Sequence, residues 1–315
     1  MRALMFSATR SVKARLDATN TSMATSSRPN GIMPMSKYLF VLSPPYSGST
    51  LLWSVLGTSP AVSSLPREGI QVAGPEVRGT PLVEDPELEA PWGKIKKQWM
   101  EKWDVSKPIL LEKSPAHIHR AAEIEEHFSP AYFLALMRDP YAFCEGCTRR
   151  KSNYSHRDSA QLWVRCAKSQ RKNIETLERV LAVRYEDFTE DPGSEVQNIL
   201  GFMPSLKSIR TDGEKNTFTV MGRRKEISNI NEAKVKMLNR QNVESINEVL
   251  STHRDLTAFF GYDLRDPSAH SRFRAWRNSV LAQLIRFVRW LSRKGGVPER
   301  VAVKAEHVLS ENRSG

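Results

Sequence analysis

Lys37–Thr58 reads KYLFVLSPPYSGSTLLWSVLGT, and the rest of the chain is best understood around it. Tyr38 to Leu42 are five consecutive apolar residues rich in strand formers, the pattern of a strand buried on both faces. Pro44 and Pro45 stop the run. Ser47, Gly48, Ser49 and Thr50 then make a small, flexible turn, after which Leu51, Leu52, Val55 and Leu56 recur at helical spacing. A strand, a small-residue loop and a helix start form an anion-binding device. Gly48 permits close backbone approach, the free amides of the first helical turn point outward, and the hydroxyls of Ser47, Ser49 and Thr50 add donors. A kinase-type phosphate loop requires GxxxxGK[ST], and those places here read Ser43, Gly48, Ser49 and Thr50. The lysine is missing. A tight turn with no ligand is the bland alternative.

Working outward, the next apolar runs are Pro108–Glu112 (PILLE), Ala131–Met137 (AYFLALM) and Val180–Tyr185 (VLAVRY), each predicting a buried strand. Helical patterns separate them, at about 92–105, 116–128, 141–150, 158–179 and 193–202, and a last core helix is expected over Val243–Phe260. The long Pro- and Gly-rich stretch 59–91 is expected to be a loop with little regular structure. Strands alternating with helices imply right-handed crossovers, hence an α/β fold with a P-loop-like, doubly wound parallel sheet flanked by helices in a single domain. Ligands of such sheets bind outside the carboxyl ends of the strands. The polar signatures SPPYSGST, EKSP, RDP and YEDF all stand at those ends.

Read together, these motifs resemble the sulfotransferases, over about residues 37–262. The resemblance implies a sulfotransferase that moves a sulfuryl group from 3′-phosphoadenosine 5′-phosphosulfate to a hydroxyl or amine acceptor by in-line displacement, with no metal. The motif style is similar to the carbohydrate, tyrosyl-protein and bacterial-type members. By that resemblance Tyr46, Ser47, Gly48, Ser49 and Thr50 form the 5′-phosphosulfate loop, although a basic residue is usual where Tyr46 stands. Arg138, inside LMRDP at the end of the third strand, is implied to bind the 3′-phosphate. A Ser eight positions later usually assists, but Gly146 stands there, leaving Thr148 or the Arg149–Arg150 pair to supply the contact. Tyr185 is implied to lie near the adenine, and Gly222 and Arg223 belong to a late basic loop that closes over the 3′-phosphate.

For the chemistry itself, Lys113 in Glu112-Lys113-Ser114-Pro115 is the cation implied for the bridging oxygen. A general base must take the acceptor's proton. Glu68, in SLPREG, stands at the distance from the loop that the resemblance implies, with Glu76, His117 and His119 as other candidates and His117 next in order. Each of these has a plain structural alternative: a core tyrosine, a surface carboxylate, or a lysine exposed at a strand end.

The net charge of +12 suggests nucleic acid, but its distribution does not. Residues 1–36 carry five basic and one acidic residue, and residues 268–315 carry ten and three; the body between them has 32 and 31. The expected organisation is therefore a basic, hydroxylated leader over 1–36 that suits a transit peptide or a disordered segment, a catalytic domain over 37–267, and a basic tail over 268–315. In that tail Trp276, Val280, Leu284, Phe287 and Leu291 share one helical face opposite Arg286, Arg289 and Arg293, which suits either docking or peripheral membrane contact. No run approaches the roughly eighteen apolar residues of a membrane span, so a cytoplasmic or organellar location is expected. Cys144, Cys147 and Cys166 are odd in number and read as buried free thiols. The acceptor is a small molecule, a carbohydrate or a tyrosyl group, and the sequence does not choose between them. Two other readings stay open: a nucleotide kinase or NTPase-like P-loop enzyme, and a nucleotide-binding protein whose active site has degraded.

Overall fold

The computed structural model describes residues 36–74, 88–151, 153–211, 217–220 and 223–270. The leader, Glu76, Gly222 and the tail helix expected near 273–291 lie outside them.

Five parallel strands form the sheet: β1 (Lys37–Leu42), β2 (Val62–Ser64), β3 (Ile109–Glu112), β4 (Ala131–Met137) and β5 (Val180–Arg184), in the order β2-β3-β1-β4-β5. Successive side chains of a strand point to opposite faces, and β1 shows what that does here. Tyr38, Phe40 and Leu42 enter one core layer, while Leu39 and Val41 enter the other. Both faces need apolar cover, which is why β1 and β4 read as continuous hydrophobic runs.

Helix α1 (Ser49–Leu56) covers the second layer. The four-residue α2 (Gly69–Val72) and then α3 (Trp92–Met100) lie over the first, where Trp92, Trp99 and Trp103 pack with Phe40 and Phe128. A 3₁₀ turn (Pro115–His119) and α4 (Ala121–His127) take the place of the single helix expected over 116–128. Helix α5 (Pro140–Thr148) starts at RDP: Asp139 caps it by accepting from the Ala142 amide, and Pro140 occupies the first turn, where no amide partner is needed. Helix α6 (His156–Thr176) opens with a Ser155/Asp158 capping box. Tyr185, expected to end β5, instead begins α7 (Tyr185–Glu190), and a second Asp-Pro pair, Asp191-Pro192, starts α8 (Pro192–Phe202).

The structure also forms strands where the sequence reading expected none. The segment 59–91 contains β2, which pairs with β3. Three residues are too few for a periodicity, so the strand was not visible in the pattern. The polar stretch near Arg223 holds an antiparallel hairpin, β6 (Thr217–Val220) and β7 (Arg223–Glu226), in which Val220 pairs with Arg223. Beyond it, α9 (Asn231–Val235), α10 (Arg240–Leu250) and α11 (Arg254–Phe259) complete the first layer. The single helix expected over 243–260 is broken by a 3₁₀ turn at Ser251–His253. Among the described residues no helix is long and apolar enough to cross a membrane, and Cys144, Cys147 and Cys166 are buried free thiols.

The chain leaves β1 towards β2 and β3, then crosses to β4 and β5 on the other side. The connections after β1 and β4 thus diverge, opening a crevice at their carboxyl ends. Pairing between these strands ends at Leu42 and Ala135. At that end the carbonyls of Leu42 and Leu136 both accept from the buried side-chain amide of Gln170 on α6, at 3.0 and 3.2 Å.

Candidate active site

A cleft of about 510 Å³ opens at this divergence, lined by Gly48, Ser49 and Thr50 from the β1–α1 loop, with Lys113, Arg138, Tyr185 and Lys234. The loop adopts the form its residues suggest. Gly48 has φ +92°, and a Cβ there would stand 2.6 Å from the Tyr185 ring, so two independent constraints require glycine. Among the described residues no side chain caps α1, and its first carbonyl-bonded amides are those of Leu51 and Leu52, both to Gly48. The preceding amides are the unsatisfied donors of a helix start, at the positive end of its dipole. Ser49 and Thr50 face the cleft, but the fully buried Ser47 turns inward, its hydroxyl 3.5 Å from the Pro45 carbonyl.

Tyr46 also has positive φ, 62°, a sparsely populated backbone state for a tyrosine. That geometry presents its carbonyl to Arg138 Nη1 at 3.1 Å. The position lacks a charge of its own, yet the Arg150 guanidinium lies 4.9 Å from the centre of its ring.

Arg138 follows directly on β4 and is 3 % exposed. Its Nε donates to Asn231 Oδ1 at 2.8 Å, and its guanidinium stacks on Tyr185 at 3.9 Å from the ring centre. Nη2 is buried with no hydrogen-bond partner among the described residues. Burial depresses the pKa of this group, since a desolvated cation is disfavoured. The arginine is held by a relay: Asn231 Nδ2 donates to Glu186, which also accepts from the Asp139 amide and the Tyr262 hydroxyl. Tyr185 is thus engaged on Gly48 and Arg138, with its hydroxyl donating to the Ser228 carbonyl.

At the other end of the cleft the two residues expected to share the chemistry meet. Lys113 Nζ donates to Glu68 Oε1 at 2.5 Å. Lys113 is buried and Glu68 partly exposed, and both border a second cavity of about 460 Å³ formed with Thr50, Trp53, Pro66, Arg67 and Gln71. Thr50, Glu68 and Lys113 line both cavities, so they mark the boundary between them.

His117 does not reach either. It is buried among Phe40, Trp92 and Trp99, with Nδ1 2.7 Å from Glu112 Oε2. Glu112 Oε1 accepts from the Gly69 amide at 2.8 Å and from the Ser114 hydroxyl, whose oxygen accepts from the Ile70 amide. Burial pushes the Glu112 carboxyl up, but His117 and these hydrogen bonds outweigh it and leave the group below its ordinary value. This buried set fastens the start of α2, and Glu68 with it. His119 is also directed elsewhere, with Nδ1 2.8 Å from Ser169 Oγ.

Thr148 is likewise outside the cleft, its hydroxyl paired with Ser159 Oγ at 2.9 Å. Arg149 and Arg150 do line it, joined by Lys234, which the sequence reading did not single out. Arg223 opens β7, and Glu226 at the end of that strand borders the cleft. Among the described residues no cluster of three or more His, Cys, Asp or Glu side chains could hold a metal ion.

A parallel sheet whose helix-start loop, strand-end arginine and strand-end lysine converge on one cleft defines a class of group-transfer enzymes. The chain matches the family model described as "Sulfotransferase family" over residues 39–204 and belongs to that family. Among solved structures it is similar to the sulfotransferase domain of the Synechococcus PCC 7002 olefin synthase, at 20 % identity and TM-score 0.48 over 77 % of this chain and 100 % of that one. It is also similar to the sulfotransferase domain from the curacin biosynthetic pathway, at 18 % identity and TM-score 0.45, covering 73 % and 99 %. A sulfotransferase from Alicyclobacillus acidocaldarius follows at 15 % identity and TM-score 0.46, covering 76 % and 98 %. No curated protein sequence matches the chain.

Proposed function

We propose that the protein transfers the sulfuryl group of 3′-phosphoadenosine 5′-phosphosulfate to a hydroxyl or amine acceptor. One observation carries the choice of donor: the buried Arg138 Nη2, unpartnered among the described residues, in the same cleft as an uncapped helix start. Two separate cationic regions suit a nucleotide with two anionic groups. The Gly48–Thr50 amides, the Ser49 and Thr50 hydroxyls and Lys113 would hold the phosphosulfate, and Arg138 the 3′-phosphate. The cofactor supplies the activated sulfuryl group.

The chain's own residues then divide the work. Glu68, at the boundary with the second cavity, takes the proton of an acceptor seated there. Lys113, beside it, places positive charge where the leaving oxygen gains negative charge. The rigid loop and the clamped α2 hold these groups in position, which is the larger part of catalysis when little covalent chemistry falls to the protein. The second cavity, with Trp53 as an apolar wall and Arg67 and Gln71 at its rim, is the acceptor's place.

Thermal-shift and calorimetric titration with 3′-phosphoadenosine 5′-phosphate, against ADP and ATP, tests the donor. Preference for the 3′-phosphorylated nucleotide is expected. Equal response to ATP, together with magnesium-dependent phosphoryl transfer, would instead make the protein a kinase-like enzyme. Tight nucleotide binding with no transfer to any hydroxyl or amine acceptor would make it a binding protein.

A further inference from the structure

Gly146 and Lys234 are two parts of one arrangement. Gly146 lies on the buried face of α5, and a Cβ placed there would stand 2.4 Å from Lys234 Nζ. The ammonium of a residue on α9 therefore fills the side-chain space of position 146. Lys234 is 8 % exposed and lines the cleft. Its Nζ donates to the Ala142 carbonyl at 3.1 Å and lies 3.9 Å from Glu145 Oε2. An ammonium carries three donors, and among the described residues only that one hydrogen bond is made.

The charges around it are unbalanced. Arg138 faces it from the end of β4; Glu145 and Cys147 face it from α5, and Arg149 and Arg150 from just past that helix; Tyr46 packs on the same glycine from the β1–α1 loop. The one carboxylate in this set is already engaged through its other oxygen, Oε1 accepting from Arg149 Nε at 2.6 Å. Three guanidinium groups and one carboxylate thus act on Lys234 at one end of the cleft, while Glu186 and Asp139 act on Arg138. Burial, and then Arg138, depress the lysine's pKa to about 7, so without an anion the amine is part-neutral near physiological pH.

We propose that Lys234 binds the 3′-phosphate of the nucleotide beside Arg138, using the space that Gly146 leaves open, and takes up a proton as the nucleotide binds. This rests on the donor assigned above. A phosphate dianion would compensate the clustered cations and restore the charged amine, coupling affinity to pH.

Calorimetry at pH 8 in two phosphate-free buffers of different ionisation enthalpy tests it, comparing 3′-phosphoadenosine 5′-phosphate with AMP. At that pH both phosphates are largely dianionic, so the ligand itself exchanges few protons. The intact protein should take up close to one proton with the 3′-phosphorylated nucleotide and none with AMP. Lys234→Met should bind the former about 10- to 100-fold more weakly, the scale of a lost charge-assisted contact, with no proton uptake and unchanged AMP affinity. Lys234→Arg, charged throughout, should retain most of the affinity but not the uptake. If the nucleotide is preferred over AMP and Lys234→Met keeps both its affinity and its proton uptake, the assignment of Lys234 is wrong while the donor stands. If the intact protein does not distinguish the two nucleotides, the donor assignment fails and this proposal with it.

Discussion

Glu68 and Lys113 share a short hydrogen bond, yet kinetics should separate them. If Glu68 is the proposed base, acting on the acceptor alone, Glu68→Gln should lower kcat while affinity for 3′-phosphoadenosine 5′-phosphate is unchanged. Lys113→Ala should lower kcat by ~10²–10³, the scale for one lost donor at a site of developing charge. Full activity in Glu68→Gln would move the base elsewhere; His117 is a poor successor, being sealed in the core. Arg138→Ala should weaken the 3′-phosphorylated nucleotide by about 2–4 kcal/mol and leave AMP little changed, which direct titration of both would show. Lys113 and Arg138 stand at strand ends whose apolar runs are strong in the sequence, whereas Glu68 lies in an irregular stretch where only the resemblance pointed to it. Lys234 was not legible: NEAKV on α9 carries no motif, and only folding brings it to Gly146. The missing side chain at 146 was visible as a gap, but what fills it lies far along the chain.

At the scale of elements, α2 matters more than its four residues suggest. It is too short to hold itself, and its first amides are held by Glu112 and Ser114 from the end of β3. Glu112→Ala would leave His117 and the Gly69 amide buried without their partner, and should cost about 3–5 kcal/mol in chemical denaturation. Under conditions where the variant stays folded, acceptor KM should rise while nucleotide affinity holds, because the loop after β1 does not depend on Glu112. Equal loss on both sides would mean general collapse instead. The element pattern was readable wherever a strand was long and doubly buried, as in β1, β4 and β5. It failed at β2, whose three residues are specified by pairing with β3, and at the β6–β7 hairpin, where polar sequence forms strands by pairing with itself.

For the molecule as a whole, Lys234 ties stability to pH. Its folded pKa is depressed to about 7, so above that value the unfolded chain binds more protons than the folded one. Stability from this group should therefore grow as pH rises from about 7 towards the ordinary lysine range, and be lost as pH falls back through 7. The difference in unfolding free energy between the intact protein and Lys234→Met, measured at pH 7 and pH 8, isolates that slope. Saturating 3′-phosphoadenosine 5′-phosphate should flatten it, since the bound anion raises the folded pKa.

The amide of Gln170 gives the cleft a fixed gauge. Where β1 and β4 part, this one side chain spans the last carbonyl of β1 and a carbonyl near the end of β4, while Trp163, two helical turns earlier on α6, donates to the Arg138 carbonyl just beyond. The spacing between the β1–α1 loop and Arg138 is thus set from behind, by a helix that lines no part of the cleft. Gln170→Leu, close in volume but without donors, should remove both of these bonds, lower Tm, and speed amide hydrogen exchange in both loops together. Such a protein would grip its nucleotide loosely though every residue lining the cleft remained in place.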